Sequence, residues 1–156
     1  MLMFIDYFKL LVSVVVCLLV GFISGISNNT SMNSWYKHLK KPSFNPPGWI
    51  FAPVWTLLYI LMGISFYLVW AAKGPIIAII FFFVQLALNF IWSFLFFSMK
   101  NPLVAFIDIV ILLVMILLTV IQFYPVSRIA ALLFIPYILW VCFATMLNFT
   151  IYWLNR

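Results

Sequence analysis

The sequence predicts an all-α integral membrane protein, a single domain over residues 1–156 built as a five-transmembrane-helix bundle with a long first loop. Three observations carry that prediction. Hydrophobic residues make up 69% of the chain and charged residues only 6%, whereas a soluble domain uses about 25% charged residues. Mean hydropathy is +1.29. The apolar residues also gather into five runs of about 20 residues or more, the length that crosses the hydrocarbon core. Two acidic and eight basic side chains cannot cover a body of this size in water. Lipid must therefore be the solvent over most of the surface. The net charge of +6 sits in loops and at the ends, where it marks topology and a headgroup preference; no nucleic-acid partner is expected.

The spans are expected at 8–27, 47–71, 75–99, 102–124 and 128–154. Lys9 precedes the first, as in a signal peptide, but the run Leu10–Ile26 exceeds the usual apolar core of about 7–15 residues and no small-residue cleavage site follows. It reads as a membrane span. Lys73-Gly74-Pro75, Lys100-Asn101-Pro102 and Pro125-Val126-Ser127-Arg128 break the later runs, each joining a charge to a proline suited to a helix boundary. These short connections predict that consecutive helices are antiparallel neighbours. The first connection, residues 28–46, is long. Its middle, Ser34–Lys41, suits a short interfacial helix, and Asn45-Pro46 suits the cap and first turn of the second span. Loops of this length often cover a site.

Lys37, Lys40, Lys41, Lys100 and Arg156 fall on one side of this arrangement, and Lys9, Lys73 and Arg128 on the other. The positive-inside rule then places the long loop and C-terminus in the cytoplasm and the N-terminus outside. Cys17 and Cys142 lie within apolar runs, without metal-site or disulfide spacing, and read as small buried hydrophobes.

Polar groups that remain in hydrocarbon must face a partner or a cavity. Gln85, Asn89, Trp92, Ser93 and Phe96 share one helical face, as do Trp140, Ala144 and Asn148 with Tyr137 and Leu147 beside them, and Phe51, Trp55 and Tyr59. Singly, such stripes are usually interfacial aromatics or amides that tie helices together. Three together suggest aromatic walls with a few placed polar groups, the make-up of a pocket for a flat apolar ligand. Asp108, an acid within a span, is expected to accept hydrogen bonds from a neighbouring helix. His38 has no second ligand at helical spacing. No nucleophile–base set, metal cluster or phosphate-cradling loop appears, so the catalytic and metal sites are both read as none.

Trp35-Tyr36-x-x-Leu39-x-Lys41-Pro42-Ser43-Phe44-x-Pro46-Pro47 is followed by Phe51-x-Pro53-Val54-Trp55-Thr56-x-Leu58-Tyr59-x-x-Met62-Gly63 and by Leu68-Val69-Trp70. Later come Gln85-Leu86-x-Leu88-Asn89-x-x-Trp92-Ser93-x-x-Phe96-Phe97 and Ile135-Pro136-Tyr137-x-x-Trp140-x-x-Phe143-Ala144-Thr145-x-Leu147-Asn148. In this order the segments resemble the tryptophan-rich sensory protein / translocator protein (TspO/MBR, peripheral-type benzodiazepine receptor) family over essentially the whole chain. The resemblance implies a five-helix bundle, commonly a homodimer, that binds porphyrins and drug-like aromatic ligands beneath the first loop. No cofactor is required; a porphyrin or haem-type tetrapyrrole enters as ligand. The candidate binding set is Tyr36, Phe51, Trp55, Gln85, Asn89, Trp92, Trp140, Phe143, Ala144 and Leu147, with Trp55 and Asn89 orienting the ligand by hydrogen bonds. Animal members carry tyrosine directly after the Leu-Asn pair, where this chain has Phe149, which weakens the case for sterol. The compact length without a targeting segment looks like a bacterial member of the cell membrane.

A membrane receptor or sensor is the function this set implies. The alternatives are photo-oxidative degradation of bound porphyrin by redox-active indoles, and transport, for which no inverted repeat is present.

Overall fold

The computed structural model describes residues 5–156, Ser27 by its backbone alone. Seven helices follow in order: α1 (Tyr7–Asn33), α2 (Trp35–His38), α3 (Gly48–Ala71), α4 (Ile76–Ser93), α5 (Pro102–Phe123), α6 (Arg128–Leu133) and α7 (Ile135–Leu154), with a π-helical turn, Phe94–Ser98, extending α4. Five spans are long and apolar enough to cross a membrane, as expected: α1, α3, Ile76–Ser98, α5 and Arg128–Leu154. Their outward faces are apolar. On α5, Ile107, Ile111, Val114 and Ile121 point away from the bundle while Ala105, Ile109, Leu112 and Ile116 pack within it. An apolar exterior around an apolar core is stable only in lipid. This is an integral membrane protein.

The first helix is longer than predicted. Asn28, Asn29, Thr30 and Ser31 are poor helix formers, yet α1 continues through them. Local and tertiary bonds outweigh propensity here. Asn33 Nδ2 donates to Asn29 Oδ1 at 3.3 Å, Ser34 Oγ to the Thr30 carbonyl at 2.8 Å, and Ser93 Oγ reaches across to Asn28 Oδ1 at 2.8 Å. The predicted loop shrinks accordingly, and the interfacial helix is the single turn α2. Asn45 does not cap α3. Pro47 is the N-cap, and Asn45 Oδ1 instead accepts the Tyr36 hydroxyl at 2.7 Å.

Helix ends follow their sequence signals elsewhere. Asp6, Asn101 and Ser127 cap α1, α5 and α6 by accepting from backbone N–H groups three residues on. α3 ends in a Schellman turn: Gly74 N–H bonds the Val69 carbonyl at 2.9 Å and Lys73 N–H the Trp70 carbonyl at 3.1 Å. Lys73 is left-handed there, with φ 54°. The fifth span is not one continuous helix. Pro136 has no N–H for the carbonyl four residues back, and the chain turns at Phe134 between α6 and α7.

The spans pack in the ring order α1, α3, α6–α7, α5, α4 and back to α1. Short connections therefore do not make every consecutive pair neighbours. α3 and α4 hardly approach along their backbones and meet through side chains, such as the Phe66 and Phe82 rings stacked at 4.6 Å. Cys142 is exposed, not buried as predicted, while Cys17 is buried. Asp108 is buried as expected of an inward-facing acid, but its Oδ2 has no hydrogen-bond partner.

α1 and α3 touch most closely at Gly63, where an added Cβ would lie 2.6 Å from the Val14 Cα and 3.0 Å from the Ser13 carbonyl oxygen. Backbone on the other side cannot move aside as a side chain can. Gly63→Val should cost about 1–3 kcal/mol of stability by overpacking. Gly25→Ala, whose Cβ meets no atom within 4 Å, should change it by less than about 0.5 kcal/mol. Thermal unfolding of the two variants in detergent checks the contrast.

Candidate ligand cavity

The two helices that touch at Gly63 separate toward the loop. At Gly21 a Cβ would already meet a side chain, the Tyr59 ring at 2.5 Å, and at Gly25 it would meet open space. The wedge that opens between α1, α3, α4 and the loop is a cavity of about 1150 Å³. That exceeds the usual range for sites of drug-sized ligands, about 300–1,000 Å³. Leu18, Gly21, Phe22, Trp55, Tyr59 and Trp92 line its inner part; Asn29, Asn33, Lys37, Lys41 and Asn45 line its loop end. Along α1 the lining face rises about 22 Å between Leu18 and Asn33, at ~1.5 Å per residue.

The predicted residues divide. Tyr36, Phe51, Trp55, Asn89 and Trp92 line this cavity. Trp140, Ala144 and Leu147 do not; they line a crevice of about 30 Å³ shared with Tyr36, Phe51, Trp55 and Trp92. That space holds about one water molecule. Trp55 is the partition, with the Trp92 ring 6.4 Å away on α4 and the Trp140 ring 6.4 Å away and perpendicular on α7. Phe143 and Gln85 line neither space. Phe143 packs on Phe44 and Trp140, and Gln85 is buried in the core.

The inner end rests on a hydrogen-bonded network that joins three spans. Tyr59 of α3 donates to Asn89 Oδ1 of α4 at 2.5 Å, and Asn89 Nδ2 donates to the Tyr137 hydroxyl of α7 at 2.9 Å. Tyr137 donates in turn to Gln85 Oε1 at 2.9 Å. Asn89 thus lines the cavity with both ends of its carboxamide already engaged. The Trp55 indole N–H, by contrast, makes no hydrogen bond to protein among the described residues. Trp92 Nε1 donates to Asn148 Oδ1 at 3.0 Å, and Asn148 Nδ2 to the Pro102 carbonyl at 2.7 Å, so Trp92 presents its ring alone.

The loop is fixed over the cavity by three sets of bonds. Asn155 at the end of α7 clasps the Lys40 backbone, accepting from its N–H and donating to its carbonyl, both at 2.9 Å. Lys41 Nζ donates to the carbonyls of Tyr36, Lys37 and Leu39 at 2.7, 3.2 and 3.3 Å. Burial pushes the Tyr36 phenol up to about 12, its bond to Asn45 opposing that shift only in part. Tyr36 therefore stays protonated at neutral pH and keeps donating to Asn45. The π-helical turn brings two consecutive rings, Phe96 and Phe97, onto the buried side, edge-on or tilted against Trp35 and Tyr36. Such turns often occur at functional sites.

The family pattern described as TspO/MBR matches residues 13–154. The chain belongs to the TspO/MBR family. It is 42% identical to the tryptophan-rich protein TspO of Archaeoglobus fulgidus over 155 residues, 94% of this chain and 97% of that one. It is 44% identical to the protein of the same name from Chlorobaculum tepidum, over 89% of this chain and 90% of that one. With the human translocator protein the identity is 37%, covering 76% of this chain and 73% of that one. In this TspO/MBR member the contribution of α1 to the site was missed in the sequence reading. Gly21 and Gly25, four apart on one helical face, were the available signal.

Removing the Tyr137 hydroxyl would leave Gln85 Oε1 and Asn89 Nδ2 buried without partners. Tyr137→Phe should therefore lower stability by roughly 1–3 kcal/mol. Trp140→Phe, behind the partition, should leave the cavity's shape unchanged. Chemical unfolding in detergent and a structure of the second variant test these outcomes.

Proposed function

We propose that this protein is a membrane receptor or sensor that binds planar hydrophobic ligands of tetrapyrrole size, porphyrins among them, in the α1–α3–α4 cavity. The observation that carries this reading is the size and lining of that cavity: about 1150 Å³ walled by Trp55, Trp92, Tyr36 and Phe51. Flat rings would gain roughly 25 cal/mol per Å² of apolar surface removed from water or headgroup solvent. The free Trp55 N–H is the placed donor that fixes orientation within the inner part, while Asn89 serves as floor. Relatives named tryptophan-rich sensory protein, from Cereibacter sphaeroides, and translocator protein, from several mammals, are compatible with binding in the membrane. The excess of lysine and arginine on the loop side supports a cavity mouth at the cytoplasmic face.

Protoporphyrin titrated into the purified protein should shift its absorbance saturably. Gly25→Trp, which fills the wedge without meeting backbone, should weaken binding at least tenfold, and Trp55→Ala by a comparable factor. Trp140→Phe should change it less than threefold. Equal affinity across all four proteins would remove the site assignment. Porphyrin recovered intact after illumination with the protein would separate a receptor from a degrading enzyme.

A further inference from the structure

Outside the cavity, the end of α7 holds two cations side by side. Asn155, the residue after α7, clasps the Lys40 backbone through two hydrogen bonds of 2.9 Å and is itself tied to the Ile151 carbonyl at 2.7 Å. The clasp seats Lys40 of the loop next to Arg156. Both side chains are exposed, and neither makes a hydrogen bond or ion pair among the described residues. Neutral amide bonds hold these like charges together against their mutual repulsion. No side-chain acid offsets it. The chain has two acids: Asp6 pairs with Lys9 at 3.6 Å at the opposite end of α1, and Asp108 is buried on α5.

The surface beside the cations faces lipid and is aromatic. The Arg156 guanidinium lies over the Trp153 ring, 3.1 Å from its centre, which fixes its position and leaves its edge donors free. Trp153 and Phe149, one turn apart on α7, are 51% and 44% exposed. Their rings lie 6.2 Å apart, and Phe106 of α5 meets Phe149 at 5.2 Å. A row of rings thus descends from the cations along the α5–α7 seam into the hydrocarbon.

We infer that this seam binds one anionic phospholipid, its phosphodiester between Lys40 and Arg156 and an acyl chain along Trp153, Phe149 and Phe106. A guanidinium fork matches phosphate oxygens in a charge-assisted, two-bond geometry, and the Lys40 ammonium adds a point charge. A zwitterionic headgroup brings its own ammonium to a rim without side-chain acids, so a net negative headgroup is favoured. The position at the end of a span, with the ring row below it, selects a lipid over a soluble phosphate. By neutralising the charges that the clasp forces together, the lipid fastens the loop to α7 a second time. None of this depends on what the cavity binds.

Phosphatidylglycerol and phosphatidylcholine with identical acyl chains are the probes. Native mass spectrometry from micelles at low salt should show one phosphatidylglycerol per protomer retained about tenfold more tightly than phosphatidylcholine. The preference should vanish in Lys40→Gln/Arg156→Gln and persist in Lys37→Gln/Lys73→Gln, which removes the same charge elsewhere. Phosphatidylcholine retention should be equal in all three proteins, which separates loss of charge from loss of fold. Phosphatidylglycerol brominated along its chains should quench tryptophan emission more in wild type than in Trp153→Phe. Absence of the preference in wild type, or equal loss in both double variants, would overturn the site. Displacement of the lipid by equimolar inorganic phosphate would overturn its assignment to a lipid.

Discussion

α3 and α4 hardly approach each other along their backbones, and α5 stands between α4 and α7 in the ring, yet the three are bound at one level by the carboxamide of Asn89. In hydrocarbon there is no water to take the place of a missing partner, so a buried amide must be satisfied by protein. Asn89 is bonded to two tyrosines, and the second donates its own hydroxyl to Gln85 Oε1. A chain of this kind fixes the rotation of each helix about its axis, because every member must present one particular side chain to the centre. Leucine packing alone would tolerate several rotations. The network sets which face of α3 and of α4 looks toward α1, and hence which rings become cavity wall.

Above that level the shape of the cavity is set by glycine. Gly63 lets the α1 and α3 backbones meet, Gly21 admits the Tyr59 ring, and at Gly25 nothing occupies the gap. Two rigid helices in contact at one end and braced by a ring further along must diverge beyond it. The loop closes the wide end of the resulting wedge, and the Asn155 clasp on Lys40 keeps it there. The void therefore does not depend on a ligand to hold it open. It is the geometric result of close packing lower in the bundle.

Much of this was legible in the sequence. Apolar run length and the Lys-Gly-Pro and Lys-Asn-Pro breaks placed the five spans within a few residues, apart from the end of the first. Helical spacing put Trp55, Asn89 and Trp92 on inward faces. What failed was each inference that needed tertiary partners. Residues 28–33 read as loop because their propensities are poor, and nothing local revealed that Ser93 would bond Asn28. Asn45 carried a capping signal, but Tyr36 claimed its oxygen. The stripe of Trp140, Ala144 and Leu147 was correctly placed facing inward. The periodicity of one helix cannot say what stands in front of it, and Trp55 stands there. Gln85 and Phe143 share faces with true lining residues but lie deeper or to the side. Ring order was equally hidden, since a short loop limits the distance between two helix ends and not the angle at which the helices leave it.

Engagement of the floor has a consequence for recognition. A ligand reaching Asn89 meets an amide whose oxygen already accepts from Tyr59 and whose nitrogen already donates to Tyr137, which fixes its orientation and leaves one N–H and one lone pair. Trp92 likewise turns its N–H away, to Asn148. Among the described residues, the Trp55 and Trp49 indoles of the lining both keep their N–H unbonded; Trp55 sits at the partition, not at the floor, and Trp49 is exposed. The polar groups a ligand could meet are thus the Trp55 and Trp49 indole N–H groups, the buried Ser24 hydroxyl, and the lysines and amides of the loop end. Rings can slide or exchange against the aromatic walls at small cost, because stacking is tolerant of lateral displacement. On the proposed receptor reading, a ligand would therefore be held chiefly by the fit of its outline to the aromatic walls, with polar contacts at a few fixed points of the lining.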